Sequence, residues 1–302
     1  MKKMGRYRLD GVQGFGAFAM VWHGFDPELE IPVAVKILAE NWAHHADVRE
    51  RFLAEARLLR KIDSNRVIRV YDIGTHEDRP YFVMDFIAGG TVADRVKPQV
   101  PHEQAIRLAI ESARAVQVLH DAGVLHRDIK PTNLLVSDDE RVLVADLGSA
   151  KRLAEASGVT VTTGTPAYMA PEQARGEPVD ARSDVYSLGA VTYELMTGTQ
   201  PYDVSDPGSL LSRANDSRPP RLHGPKELAR GLDRVLASAL ATRPSDRPAS
   251  AAAFADALEQ VAAGAKTKDV KRVRREVSAS LLITLAVLVF GASAAATWYL
   301  MR

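Results

Sequence analysis

With 302 residues, 46% of them hydrophobic and 25% charged, the chain is long enough to bury a sizeable core and to divide into two lobes. Lysine plus arginine (39) against aspartate plus glutamate (38) leaves a formal net charge of +1, so no global field draws it to nucleic acid and no nucleic-acid partner is expected. The absence of cysteine excludes disulfides, thiolate nucleophiles and cysteine-ligated zinc.

Two lysines open the chain without an apolar run of seven or more behind them, so no signal peptide is expected. Strand-like runs follow: RYRLDGV from Arg6, AMVWHGF from Ala19, PVAVKIL from Pro32, VIRVYDIG from Val67 and PYFVMDF from Pro80, separated by Gly, Asp and Pro turns. One helix interrupts them. DVRERFLAEARLLRKI, from Asp47 to Ile62, places Val48, Phe52, Leu53, Leu58, Leu59 and Ile62 on an apolar stripe. After Gly89 and Gly90 the pattern turns helical, as in HEQAIRLAIESARAVQVLHDAG from His102. Two short strands come next, NLLVS and RVLVAD, and then mostly helix, with no internal repeat.

The far end differs in kind. From Val277 to Met301 no residue is charged, and the run reaches the roughly 20 apolar residues that cross a bilayer. Just before it, KTKDVKRVRRE carries Lys266, Lys268, Lys271, Arg272, Arg274 and Arg275, a cluster that anionic headgroups attract and that marks its side as cytoplasmic. Trp298 and Tyr299 suit the opposite interface. The expected layout is therefore 1–88 and 89–264 as two lobes, 265–276 as a basic linker and 277–301 as a single membrane-spanning helix, with lipid contacts over 266–301.

Within the first 264 residues several stretches carry chemistry. Gly14 and Gly16 in GFGAFAMV let backbone close over a phosphate, or simply turn a hairpin. An earlier GVQG, Gly11 to Gly14, offers a competing register, and the later one is preferred because Val21 then falls in place. Lys36 in VAVK sits in an apolar run, where a lysine either snorkels to solvent or meets an anion, and Glu55 on the amphipathic helix is placed to pair with it. Asp128, Lys130 and Asn133 crowd HRDIKPTN, and Asp146 ends the apolar strand of VADLGSA.

With GTPAYMAPEQ, DARSDVYSLG and RPSDRP following in order, residues 7 to 262 resemble a eukaryotic-type protein kinase, most of all the bacterial Ser/Thr kinases. The resemblance implies an α+β, two-lobed protein-kinase fold, a β-rich small lobe with one key helix before a larger helical lobe. It implies ATP as phosphate donor, with Mg2+ or Mn2+. Gly14, Phe15, Gly16 and Ala17 would cover the phosphates; Lys36, held by Glu55, would contact the α- and β-phosphates. Val21, Ala34, Met84 and Leu135 look like the walls of the adenine slot, with hinge backbone at Asp85 and Ile87. Asp128 would take the hydroxyl proton and Lys130 would meet the γ-phosphate, while Asn133 and Asp146 hold the metal. Neither Lys36 nor Asp146 is expected to fill the core.

Three features depart from the family pattern: Gln13 stands where an apolar residue is usual, Ala19 replaces a frequent third glycine, and Leu147 replaces a phenylalanine. None removes a catalytic group. Glu172 and Arg247 resemble a structural ion pair, and Thr165 the threonine that braces Asp128 and Lys130. Arg127 implies control by a phosphate on the segment 146–172, where Thr160, Thr162 and Thr163 are the candidates. The expectation is thus a serine/threonine protein kinase acting on protein substrates, anchored in the inner membrane of a bacterium with its catalytic part cytoplasmic, and modified when two copies meet in the membrane plane. A pseudokinase scaffold would be expected to lack Lys36, Asp128 or Asp146, and a small-molecule kinase to lack GTPAYMAPE.

Overall fold

The apolar run of PVAVKIL becomes the central strand of a six-stranded antiparallel sheet, buried on both faces, which is why it reads as continuous hydrophobicity with no alternation. The computed structural model describes residues 2–16, 18–96, 100–147, 166–202, 219–224 and 226–264. The expected linker and span over 265–301, Ala17 and the threonines 160, 162, 163 and 165 lie outside the described residues. Among the described residues no helix is long and apolar enough to cross a membrane.

The sheet comprises β1 (Lys2–Met4), β2 (Tyr7–Phe15), β3 (Ala19–Asp26), β4 (Ile31–Leu38), β5 (Val70–His76) and β6 (Arg79–Asp85), in the order β1-β2-β3-β4-β6-β5. Register pairs Val21 with Lys36, Lys36 with Phe82 and Ala34 with Met84. Ala34, Leu38, Phe82 and Met84 face the main core. The opposite side of β4 and β6, with Val33, Val35, Ile37, Tyr81 and Val83, closes a smaller second core with Tyr7 and Leu9. Two features had no sequence signal: β1, an edge strand of two lysines and a methionine, and the single turn α1 (Glu40–Ala43).

Helix α2 (Ala46–Lys61) lies against this sheet and buries Val48, Phe52, Ala56 and Leu59, together with the carboxylate of Glu55. Asp47 in its first turn and Arg60 and Lys61 in its last complement the helix dipole. Leu53, Leu58 and Ile62 of the expected stripe are only half-buried at its margins. Beyond it, Arg66–Ile68 runs beside the later strand Val142–Val144: Ile68 N–H donates to Val144 O at 3.0 Å and Val144 N–H to Arg66 O at 2.9 Å.

The remainder is mostly helical, as anticipated. Helix α3 (His102–Asp121) packs on α5 (Ala181–Thr197), which is buried almost all round; Asp180 caps α5 at its start and Gly198, at φ 74°, ends it. Between them lie β7 (Leu134–Val136), β8 (Val142–Val144) and the one-turn α4 (Pro171–Ala174); α6 (Lys226–Ala239) and a helix over 251–264 follow. The two strands are shorter than the runs that announced them, because Asn133 belongs to a 3-10 turn and Ala145 and Asp146 leave the ladder. Gly89 lets the segment after β6 meet β7, since a Cβ there would sit 2.0 Å from Val136 O.

One buried ion pair ties α4 to the helical part. Arg247 Nη1 and Nη2 donate to Glu172 Oε1 and Oε2 at 2.6 and 2.8 Å, Ser183 Oγ donates to Oε1 at 2.6 Å, and the guanidinium stacks over Tyr186. Burial pushes the Glu172 carboxyl up, but these bonds outweigh it and hold it below the usual carboxylate range. A depressed carboxylate contributes stability above its unfolded value and loses it as pH falls through the folded one. Urea unfolding should therefore find Glu172→Gln about 3–5 kcal/mol less stable than wild type at pH 7. That gap should narrow as pH drops below the carboxylate range.

Candidate active site

The small sheet and the helical part face each other across a cleft of about 770 Å³, its open mouth included. Val21, Ala34, Met84, Ile87 and Leu135 give it apolar walls, and Lys36, Asn133 and Asp146 stand at its polar end. Such a site, apolar with a few converging polar groups, suits a flat ring system carrying a charged tail.

The polar end is organised by Lys36. The residue is only 7% exposed, and its ammonium bonds Glu55 Oε1 at 2.8 Å and lies 3.2 Å from Asp146 Oδ1. Burial alone would push it down; the carboxylates of Asp146 and Glu55 outweigh that and raise it, so it stays a cation. Lys36 is thus part of the core as well as of the site, contrary to the expectation that it fills none of it. Asp146 is half-exposed and adopts φ 56°, a left-handed conformation that re-aims the chain as it leaves β8.

The HRDIKPTN loop lies beside it. Lys130 Nζ is 3.3 Å from Asp128 Oδ2, and Asn133 Nδ2 donates to Asp128 O at 2.9 Å and Oδ2 at 3.3 Å. Asp128 and Lys130 do not line the main cleft; with Tyr168, Met169 and Ser187 they border a smaller adjoining hollow. Asn133, its amide nitrogen engaged, and Asp146 both line the cleft. Among the described residues no cluster of three or more His, Asp or Glu forms a dedicated metal cage. One carboxylate and one amide oxygen fit a hard divalent cation that keeps water and shares phosphate ligands.

Of the expected residues, Gly14, Val21, Ala34, Lys36, Met84, Asp85, Ile87, Leu135, Asn133 and Asp146 line the cleft. Glu55 stands behind Lys36. Gly16 closes the loop tip by donating to Ala19 O at 2.8 Å, and Phe15 is 80% exposed there. Asp85 turns its side chain away, accepting from Arg69 N–H at 3.0 Å and from the Tyr71 hydroxyl, so it meets the cleft through its backbone. Burial first, and then Asp85, push that phenol up to about 12.

Sequence reasoning missed Phe86, Thr91 and Thr132, which also border the cleft, and assigned Gln13 only as a departure. It also left Asp184 without a role. Asp184 is buried and accepts the backbone N–H groups of His126 at 2.9 Å and Arg127 at 2.8 Å, with the His120 ring at 2.8 Å. An aspartate between Ser183 and Val185 in SDVYSLG, the only charge among the buried residues of that helix, was the available signal.

A family model described as protein kinase domain matches residues 7–259. Serine/threonine-protein kinase PknB of Mycobacterium leprae is 37% identical over 270 residues, spanning 86% of this chain and 43% of that protein. PknL of Mycobacterium tuberculosis is 35% identical over 263 residues, 85% of this chain and 66% of the relative. The chain thus spans less than half of the length of PknB. The crystal structure of the Mycobacterium tuberculosis PknI kinase domain superposes with a TM-score of 0.66 at 29% identity, over 85% of this chain and 96% of that one.

Proposed function

The chain belongs to the protein kinase family, and from that premise we propose that it is a serine/threonine protein kinase, transferring the γ-phosphate of ATP to serine and threonine hydroxyls of proteins. The observation that carries this reading is the placement of Lys36, Asn133 and Asp146 at one end of the cleft, beside the Asp128–Lys130 pair at the hollow bordered by Tyr168 and Met169. A scaffold without catalysis has no use for that set of charges.

The apolar walls hold the adenine, and the backbone at Asp85 and Ile87 supplies its polar partners. Gly14, Phe15 and Gly16 close over the phosphates. Lys36 neutralises the α- and β-phosphates. Asn133 and Asp146 would hold a magnesium ion, which when bound would screen the charge of the phosphate chain. Asp128 orients the protein hydroxyl and takes its proton as oxygen bonds to the γ-phosphorus. The bond to the β-phosphate oxygen breaks and ADP leaves. Lys130, beside Asp128, balances the charge of the moving phosphoryl group.

Regulation by phosphate rests on Arg127. Its Nε is buried and lacks a hydrogen-bond partner among the described residues, and a phosphothreonine at Thr160, Thr162 or Thr163 offers charged oxygens to it. Exchange between two copies in the membrane plane would place that phosphate. Incubation of the full chain with Mg-ATP and a basic protein should yield phosphoserine and phosphothreonine, none with Asp128→Asn, and mass spectrometry should find at least one of the three threonines modified. Transfer surviving in Asp128→Asn would remove the assignment of the base.

Anchoring rests on the uncharged run 277–301 behind its basic cluster, which suits a single pass through a bacterial inner membrane with the kinase on the cytoplasmic side. Deleting residues 277–302 should move the protein from the membrane fraction to the soluble one with transfer activity kept. Retention in the membrane fraction would contradict the anchor.

A further inference from the structure

Arg127, immediately before the base, has φ 64°, a left-handed conformation that disfavours a residue with a side chain. Its backbone is held at both polar groups. The N–H donates to Asp184 Oδ1 at 2.8 Å, and the carbonyl accepts from Gln173 Nε2 at 2.8 Å. The peptide plane from Arg127 to Asp128 is also bonded at its other end, where Asp128 N–H donates to His126 Nδ1 at 3.3 Å. The direction in which Asp128 leaves the loop is therefore set by three contacts from three parts of the chain.

Gln173 is the one that comes from α4. Its Oε1 accepts the N–H of Ala170 at 3.1 Å, at the start of α4, which fixes the amide with its donor end toward Arg127. Its neighbour Glu172 is locked to Arg247. The same short stretch supplies Tyr168 and Met169 to the hollow that Asp128 borders. The amide thus joins the wall of that hollow to the loop that carries the base.

We propose that Gln173 is a positioning residue for phosphate transfer: through the Arg127 carbonyl it fixes the peptide plane that aims the Asp128 carboxylate, and so registers the base against the surface on which the acceptor hydroxyl lies. The inference rests on the assignment of Asp128 under the proposed function. It separates Gln173 from a plain helix-capping residue, because the cap needs only the acceptor oxygen while the tether needs the donor nitrogen.

Gln173→Glu divides the two roles. The carboxylate still accepts from Ala170 N–H but cannot donate to Arg127 O, whereas Gln173→Met loses both bonds at similar length. Single-turnover transfer would be measured for the full chain and both variants in the same phosphorylation state, with KM for ATP and the thermal midpoint alongside. Both variants should transfer about tenfold more slowly than wild type. KM for ATP should stay within about twofold, since no ATP contact is touched. Wild-type transfer by Gln173→Glu, with only Gln173→Met impaired, would overturn the inference and leave a cap. A loss in Gln173→Glu expressed in KM for ATP or in a fallen thermal midpoint, with the transfer rate unchanged, would overturn it too. Absence of transfer by the wild-type chain would overturn the kinase reading itself, and the inference with it.

Discussion

Burial, which disfavours the charged form of Lys36, is outweighed by two carboxylates, and much of the site follows from keeping that ammonium charged. Lys36 lies on a strand buried on both faces, so its charge finds compensation only from outside the sheet. Glu55 supplies it from α2, which requires the helix to turn a carboxylate inward among Phe52, Ala56 and Leu59. Asp146 supplies the rest from beyond β8, on the other side of the cleft. One cation thereby sets the facing of a helix and brings the end of β8 to the small sheet. The backbone bonds between Arg66–Ile68 and β8 brace the same approach.

Backbone conformation marks the chemistry a second time. Among the described residues, six other than glycine have positive φ. Four of them, Glu30, Glu77, Asp78 and Glu140, carry charged side chains at solvent-facing turns between strands. The other two are Arg127, next to the assigned base and held at both of its backbone polar groups, and Asp146, itself an assigned metal ligand, which lies against Lys36. Strain of this kind persists where the neighbourhood over-determines it, and here Asp184, itself buried, accepts from two successive N–H groups of the loop.

Much of this was legible in the chain. Strands β2 to β6, α2 and α3 announce themselves by periodicity and by Gly, Asp and Pro turns, and the resemblance placed ten residues that line the cleft. What escaped depends on distance. Asp184 and Gln173 reach the loop from 57 and 46 positions beyond Arg127, and His120 meets Asp184 across 64 positions, separations that no local pattern encodes. The burial of Lys36 escaped too, because a lysine in an apolar run reads equally well as a side chain reaching for solvent. On α2, the stripe identified the face but overcounted it: Leu53, Leu58 and Ile62 sit at the edge, while the buried line runs through the charged Glu55.

The coupling between Lys36 and Glu55 is measured as one free energy by urea unfolding of wild type, Lys36→Met, Glu55→Gln and the double variant. If the buried ammonium and carboxylate hold each other, the double variant is more stable than the sum of the single losses allows, by about 1–3 kcal/mol. Losses that add to within about 0.5 kcal/mol would contradict it. The two groups would then be neighbours in the cleft without being the interaction that organises it.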